Sequence, residues 1–573
     1  MDDLLSKKPE EFLDWSWDDI KPYFEELSTQ PLRAENLNRW LGGYSDLARL
    51  FQEIYWRLYV ARTIDTTDEA AKERYDRFLD EVRPKTQAAE QALKEKLLAS
   101  GLQPHGFELP LKKMQAEVEL YREENLPLLS EELKLSSEYD ERIGDQTVLW
   151  EGEERTLAQL QPLYQSTDRE RRERAWRLAA ARQLADREAI DELWGKLLAV
   201  RSRLAANAGL PDYRSYRWKQ LLRFDYSPED CRQFHRAIEA VAVPAARRIY
   251  ERRRERLGVE RLRPWDLEVD PSGKPPLKPF DSIQELEGKT SGIFRQVDPP
   301  LGEYFETMRR EGLLDLENRK GKAPGGYCTE FEMARRPFIF MNSVGVHDDV
   351  QTLLHEGGHA FHVFETEDLP YHHQLQVPLE FAEVASMSME LLASPYLDGE
   401  EGFYSHADAT RARIAHLEQS ILFWPYMAVV DAFQHWVYEN REAALNPGNC
   451  DAQWSRLWER FMPVVDWSGL EEEKATGWQR KLHIFTEPFY YVEYGLAQSG
   501  AFQVWRNAIQ DQASAVNRYR KALSLGGTLS IPELYAAAGA RFAFDEATLR
   551  EVVRLAEERI DTLRSKDDWN DIR

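Results

Sequence analysis

The chain has 573 residues and a formal net charge of −25, and 42% of its residues are hydrophobic. This length exceeds one ordinary hydrophobic core, so we expect at least two subdomains. The acidic surplus argues against nucleic acid or an anionic membrane as the main partner, and it is typical of a solvated surface.

The beginning of the chain and its cysteines bear on the compartment. The stretch MDDLLSKKPEEFLDW is charged throughout and lacks the apolar run of a signal peptide. No apolar run in the sequence approaches the ~20 residues of a transmembrane helix. Cys231, Cys328 and Cys450 have no CxxC pairing, which excludes a zinc cluster built from cysteines and suits a reducing compartment. We expect a cytoplasmic protein.

Two long stretches have the periodicity of amphipathic helices. Residues 68–101 place apolar side chains at three- and four-residue spacing and end at Gly101. Residues 166–209 repeat this pattern, with Ser166 or Thr167 as the predicted cap and Gly209 as the stop. The sequence between them, TVLWEGEERT, predicts a small hairpin, followed by a capping box of Thr156 and Gln159.

This interruption predicts a domain boundary, with an N-terminal helical domain at 1–145 and a second, larger domain at 146–573. A second break, DLEVDPSGKPPLKPF, has the proline and glycine density of an exposed loop. Further along, PFIFMNSV predicts a strand. Asp348 and Asp349 suit the beginning of the next helix, at 349–366, because carboxylates accept its free N–H groups.

That helix carries the sequence HEGGH, a match to the H-E-x-x-H pattern. His355 and His359 lie one turn apart on one face, so both imidazoles can ligate one Zn²⁺ ion. Glu356 then stands beside the metal, within reach of a bound water, as a candidate general base. Gly357 and Gly358 each cost the helix roughly 1 kcal/mol relative to Ala. We expect them to let a strand or a substrate backbone pass close, with PFIFMN as the neighbour and its outer edge free for an extended peptide.

A catalytic zinc ion requires a third protein ligand and an open position. The apolar spacing of residues 378–392 predicts a helix, which carries Glu380, Glu383 and Glu390. Spacing alone does not choose among these carboxylates, and His372 and His373 compete as ligands.

A cluster far downstream, HIFTEPFYYVEYGLAQSG, combines His483 with Tyr490, Tyr491 and Tyr494. Such an aromatic run is more typical of packing than of catalysis. Tyrosine hydroxyls can nevertheless donate hydrogen bonds to the oxyanion of a tetrahedral intermediate.

The chain resembles the thimet oligopeptidase and oligoendopeptidase F family of zinc metallopeptidases, and most closely its bacterial oligoendopeptidase F and Pz-peptidase branch. The matching stretches occur in the family's order over about residues 320 to 500. They are APGGYC, PFIFMNSVG, DVQTLLHEGGHAFH, EFAEVASMSMELL and HIFTEPFYYVEYGLAQ.

This resemblance implies Glu383 as the third zinc ligand and Glu390 as the carboxylate that orients a ligand histidine. It also implies that His483 and one or more of Tyr490, Tyr491 and Tyr494 stabilise the transition state. The implied fold is mainly α-helical, with two lobes around a deep channel and a small sheet beside the zinc helix.

The function so implied is an endopeptidase with one Zn²⁺ ion that cleaves short unfolded peptides, with its catalytic domain at 146–573. Together with the charge and the cysteines, we expect a cytoplasmic enzyme without nucleic acid or membrane as partner. One alternative is a zinc exopeptidase such as a carboxypeptidase. A second alternative is a helical peptide-binding protein without catalysis, against which the intact Glu356 argues.

Overall fold

The computed structural model describes residues 9–570, and most of them are helical. Helices α1 to α6 are Trp17–Thr29, Leu37–Ile64, Glu69–Arg77, Arg83–Ser100, Glu108–Leu120 and Leu126–Gly144. Helices α7 to α13 are Gln161–Tyr164, Arg169–Ala185, Arg187–Asn207, Tyr213–Gln220, Pro228–Leu257, Ile283–Val297 and Pro299–Glu311. Helices α14 to α19 are His347–Glu365, His372–Leu375, Leu379–Ala393, His406–Glu439, Arg441–Ala444 and Pro447–Phe461. Helices α20 to α25 are Glu471–Ala475, Leu482–Phe485, Tyr491–Gln510, Gln512–Leu523, Ile531–Ala537 and Glu546–Asn570.

The helices form two lobes, each around its own hydrophobic core. The first core contains residues of α1 to α5, among them Trp40 and Leu97. The second core is larger and extends from Leu120, the last residue of α5, to α25, with Trp194 and Trp424 fully buried in it. Because α6 contributes to the second core, the chain passes between the cores before residue 126. The boundary at residue 145 remains a prediction.

The two predicted helical stretches form, but each is divided. Residues 68–101 make α3, a π-helical turn at Phe78–Val82, and α4, which ends at Gly101 with a left-handed φ of 66°. Residues 166–209 make α8 and α9. The predicted cap of α8 was wrong, because Asp168 rather than Ser166 or Thr167 accepts its first free N–H groups. A carboxylate also interacts more favourably with the positive end of the helix dipole than a hydroxyl does.

Both predicted β-structures are present. Strands β1 (Thr147–Trp150) and β2 (Glu153–Thr156) form the antiparallel hairpin, and Thr156 and Gln159 exchange the hydrogen bonds of a capping box. A second sheet contains β3 (Leu314–Glu317), β4 (Tyr327–Phe331) and β5 (Arg336–Ser343), in the order β3-β5-β4.

Strand β5 is the predicted PFIFMN strand, and it is the central one. It pairs in parallel with β3 and antiparallel with β4, so the expectation that its outer edge is free for a peptide was wrong. Its continuous buried run from Pro337 to Met341 explains the position, because a central strand is covered on both faces. Within residues 9–570 no strand pairs with the other edge of β4.

Among the described residues, no helix combines the length and the apolar composition that a bilayer crossing requires.

Candidate active site

The HEGGH sequence lies in the middle of helix α14. The helix begins where the carboxylate of Asp349 accepts hydrogen bonds from the backbone N–H groups of Val344, Gly345 and Val346, at 2.9, 2.7 and 2.9 Å. Strand β5 ends at Ser343, so this cap fixes the direction in which the chain leaves the sheet. Asp349 thus lies in the first turn as predicted, but it binds N–H groups of the residues before the helix rather than those of the first turn.

The side chains of His355 and His359, both on α14, converge with that of Glu383 from another helix. Oε2 of Glu383, on α16, lies 3.2 Å from Nε2 of His355 and 3.5 Å from Nε2 of His359. The three ligand atoms all lie within 4.8 Å of one another. One ion with bonds of about 2.0–2.2 Å can therefore contact all three atoms, and this donor set of two imidazoles and one carboxylate suits Zn²⁺. The residues present fit the implied metal.

The two glycines of the motif allow close packing of α14, but the expected neighbour was wrong. A Cβ atom on Gly358 would lie 2.5 Å from Cα of Ser386 and 2.6 Å from the carbonyl oxygen of Ala385, both on α16. A Cβ atom on Gly357 would collide with the ring of Phe294, on α12. The glycines thus admit another helix and an aromatic ring rather than strand β5. The approach of α16 brings Glu383 to the histidines.

Glu390 connects two histidines at the back of the site. Its Oε1 lies 2.7 Å from Nδ1 of His355, and its Oε2 lies 2.8 Å from Nε2 of His416, on α17. Burial raises the pKa of Glu390, but the bonds from both histidines outweigh it and bring the pKa to about 2. An ionised carboxylate here accepts the Nδ1 proton of His355 and leaves Nε2 free to face a metal.

Glu356 is buried, and its Oε2 has no hydrogen-bond partner among the described residues. Burial raises the pKa of this carboxyl group, and the charges of His355 and His359 oppose the rise. Nearby, Oε1 would lie 3.6 Å from a Cβ atom placed on Gly326, directly before β4. The carboxylate therefore faces the region between the histidines and the start of the edge strand.

The downstream cluster folds against this site through α21 and α22. The hydroxyl of Tyr494 lies 3.2 Å from Nε2 of His483. Burial lowers the pKa of His483 well below its usual value, and the Lys481 charge lowers it further. Burial also raises the pKa of Tyr494, and the Glu383 and Glu356 charges add to this rise. A neutral imidazole and a protonated phenol can both donate hydrogen bonds.

The three tyrosines point to different partners. The hydroxyl of Tyr490 donates to Oε1 of Glu383 at 2.5 Å, so this tyrosine holds the carboxylate that faces the two histidines. The hydroxyl of Tyr491 instead accepts a hydrogen bond from Nζ of Lys481 at 2.9 Å. Tyr494 is thus the member of the group whose hydroxyl is bound neither to Glu383 nor to Lys481.

The other candidate ligands lie elsewhere. His372 and His373 are buried in α15, and Nδ1 of His372 lies 2.6 Å from Oε2 of Glu332. Glu380 accepts a hydrogen bond from Tyr226 at 2.5 Å and lies 3.6 Å from Nε of Arg223. None of these side chains joins the cluster of His355, His359 and Glu383.

A cavity of about 600 Å³ lies behind the site, with Gln351, Glu390 and His416 on its wall. Residues 267–272 of the predicted proline-rich loop also line this cavity. No local pattern pointed to His416 or Lys481, because both are distant from the HEGGH motif along the chain and approach it only through the packing of other helices. Ser386, whose Oγ donates to Oε2 of Glu383 at 3.0 Å, could have been found from the i, i+3 spacing.

Both the N-terminal region and the region that carries the candidate active site match known protein families. Residues 163–554 match the model of peptidase family M3, and residues 9–107 match that of the peptidase M3 N-terminal domain. The solved structure of Pz peptidase A with an inhibitor has a TM-score of 0.89 and 31% identity, covering 96% of this chain and 99% of that one.

Curated relatives are more distant. The oligoendopeptidase F homolog of Borreliella burgdorferi is 24% identical over 50% of this chain and 48% of its own length. Oligopeptidase PepF of Bacillus subtilis is 23% identical over 46% of this chain and 39% of its own. The chain thus spans about half the length of the curated relatives it matches, or less. The family model covers well over half of the residues, and the chain belongs to peptidase family M3.

Proposed function

We propose that this protein is a zinc-dependent endopeptidase that hydrolyses internal bonds of short, unfolded peptides. The observation that carries this proposal is the convergence of His355, His359 and Glu383, with the unpartnered carboxylate of Glu356 beside them. A structural metal site has no use for such a base. Two relatives are named oligoendopeptidase F homolog and oligopeptidase PepF, and these names support the same activity.

His355, His359 and Glu383 would hold one Zn²⁺ ion. When bound, the ion supplies Lewis acidity, which polarises a substrate carbonyl group and makes a water molecule more acidic. Glu390 and Tyr490 keep two of the three ligand side chains in place through His355 and Glu383. This support reduces the reorganisation that binding requires.

Glu356 is the proposed general base. Its buried carboxylate accepts a proton from the attacking water and passes it to the departing amine. The pKa raised by burial makes the carboxylate a better base than an exposed glutamate. Its unpartnered Oε2 is available for this transfer.

His483 and Tyr494 are the proposed donors to the oxyanion that forms on the substrate. Both side chains are held by packing, and their mutual contact of 3.2 Å orients the hydroxyl. Preorganised donors of this kind favour the transition state over the bound substrate. Tyr490 and Tyr491 have assigned partners, so we infer positioning roles for them.

A substrate in extended conformation can pair with the edge of β4 that no described strand occupies, and Gly326, directly before β4, lies beside Glu356. Main-chain hydrogen bonds to an edge strand give affinity without requiring a particular sequence. The two lobes would limit access to short peptides. The lone cysteines favour the cytoplasm as the compartment.

The test is digestion of a peptide library of mixed length with blocked ends, with and without a chelator, followed by mass spectrometry. Internal cuts that disappear with the chelator and decline with peptide length support the proposal. Cleavage that requires a free terminus would instead indicate an exopeptidase. Binding of the peptides without turnover in excess zinc would indicate a peptide-binding protein.

A further inference from the structure

A second group of metal-binding side chains lies between α11 and α17, outside the site described above. Cys231 and His235 are four residues apart on α11, and Asp431 and His435 are four residues apart on α17. Residues at this spacing share a helix face. The two helices pack against each other, so both pairs meet at one point of their interface.

All four side chains are buried: Cys231 and Asp431 are 0% exposed, His435 4% and His235 5%. Aromatic rings of Trp218, Phe461 and Phe489 surround the two histidines. Despite this burial, Oδ1 of Asp431 and Nε2 of His435 have no hydrogen-bond partner in the part of the chain that the structure describes. An unmatched buried polar atom destabilises the folded state, so two at one place require an explanation.

The distances between these atoms suit a bound cation. One ligand atom from each of Cys231, Asp431 and His435 can be chosen so that all lie within 4.8 Å of one another. Nε2 of His435 lies 3.4 Å from Oδ2 of Asp431, too far for a good hydrogen bond. At the candidate active site the corresponding distances between imidazole and carboxylate are 3.2 and 3.5 Å.

We propose that Cys231, Asp431 and His435 form a second metal site, for one zinc-like divalent transition-metal ion, that joins α11 to α17. A thiolate, a carboxylate and a neutral imidazole together carry two negative charges, which neutralise the ion inside the core. Imidazole and thiolate ligands favour Zn²⁺ over Mg²⁺ or Ca²⁺. Such an ion would act as a structural crosslink, because binding to the folded state alone stabilises it.

One neighbouring side chain supports the proposed site, and a second releases a contact when the ion binds. Nε2 of His235 donates to Oδ2 of Asp431 at 2.7 Å and so orients the carboxylate. On the far side of His435, Arg214 donates to Nδ1 at 3.3 Å and also pairs with Glu439. Metal binding at Nε2 moves the remaining ring proton to Nδ1, so Arg214 gives up this long contact and keeps its ion pair with Glu439.

The test uses the full chain, produced in medium supplemented with zinc or with cobalt. The candidate active site contains no sulfur ligand, so a thiolate-to-Co²⁺ charge-transfer band in the near ultraviolet reports the second site alone. We expect two metal ions per chain in the parent and one in His355→Ala by elemental analysis. The cobalt forms of both proteins should show the thiolate band.

Cys231→Ser should lose one ion and the thiolate band. The control is Cys328→Ser, because the thiol of Cys328 lies near Glu356. This variant should keep two ions and the band. One ion per parent chain, no ion in His355→Ala and no thiolate band would overturn the proposal. A band lost in Cys328→Ser but kept in Cys231→Ser would also overturn it. If Cys231→Ser does not fold, the parent and His355→Ala decide. Neither result depends on peptide cleavage, so this test can fail while the proposed endopeptidase activity holds.

Discussion

Oε1 of Glu390 lies 2.7 Å from Nδ1 of His355, on the side of the imidazole away from Glu383. This contact fixes the ring orientation and the tautomer that leaves Nε2 free. We expect Glu390→Gln to weaken Zn²⁺ binding by about 10–100-fold, because the neutral amide is a poorer acceptor for the Nδ1 proton. Competition with a chromogenic chelator measures the dissociation constant. His416→Gln, which removes only the partner of Oε2, should have a smaller effect in the same direction. Equal affinity in Glu390→Gln and the parent would contradict the orienting role.

The second prediction separates the proposed base from the metal ligands. Glu356→Gln should retain zinc and lower kcat by about 10²–10⁴-fold, since the amide cannot accept the proton of water. Elemental analysis and peptide cleavage measure the two effects separately. His355→Ala is the matched comparison and should lose zinc together with activity. A Glu356→Gln variant that cleaves at the parental rate would show that another group is the base.

The third prediction distinguishes the tyrosines. Tyr494→Phe should lower kcat by about 10–10³-fold with little change in KM, because its hydroxyl is proposed to bind the oxyanion rather than the ground-state substrate. Tyr491→Phe is the control, since its hydroxyl bonds Lys481, and it should lower kcat much less. Steady-state kinetics on one internally quenched peptide gives both parameters. The reverse order of effects would assign the donor role to Tyr491.

The fourth prediction concerns the packing of α14 on α16. Gly358→Ala places a Cβ atom 2.5 Å from Cα of Ser386, so the helices must separate, at a cost of about 1–3 kcal/mol. Separation also moves Glu383 from the histidines, so zinc affinity should fall. Gly195→Ala, inside α9 with no atom within 4 Å of the new Cβ, should instead stabilise the fold by about 0.5–1 kcal/mol. Thermal unfolding and chelator competition test both variants. Equal midpoints and affinities would refute the packing argument.

The fifth prediction follows from a buried carboxyl group in α6. Burial raises the pKa of Asp140 from 3.8 to about 7, although the Arg62 charge opposes the shift. Between pH 3.8 and about 7 the carboxyl group of Asp140 is therefore protonated in the folded state and ionised in the unfolded state. The extra proton stabilises the folded state, and this stabilisation is lost as the pH rises through about 7. Asp140→Asn should stabilise the fold by about 1–3 kcal/mol above pH 7 and by almost nothing near pH 3.8. Thermal unfolding of both proteins at about pH 4 and pH 8 measures the difference. A constant difference across this range would exclude titration of Asp140 as its cause.

Local patterns were enough to predict many elements of this fold. The three- and four-residue spacing of apolar side chains indicated the helices, and turn residues indicated the hairpin at 147–156. HEGGH placed His355, Glu356 and His359 on one helix, because the helical repeat alone fixes their relative directions. Errors at this level were small, such as the cap at Asp168 instead of Ser166 or Thr167.

Relations between distant segments required the tertiary structure. Periodicity could not choose among Glu380, Glu383 and Glu390, and the resemblance alone favoured Glu383. In the structure, Glu383 faces the histidines and Glu380 faces Tyr226. Strand order is likewise a non-local property, so the sequence of β5 did not show that β3 and β4 flank it. The neighbours of Gly357 and Gly358 were misjudged for the same reason.

Composition and periodicity alone established the helical character, the HEGGH face and the chemical types of the side chains available. Tertiary packing decided which of these side chains meet: Glu390 with His416, Tyr494 with His483, and Cys231 with Asp431 and His435. The physical reason is that helix and strand periodicity follow from bonds between near neighbours in the chain. Contacts across helices depend instead on how whole faces fit together, and a single residue such as Gly358 can set that distance.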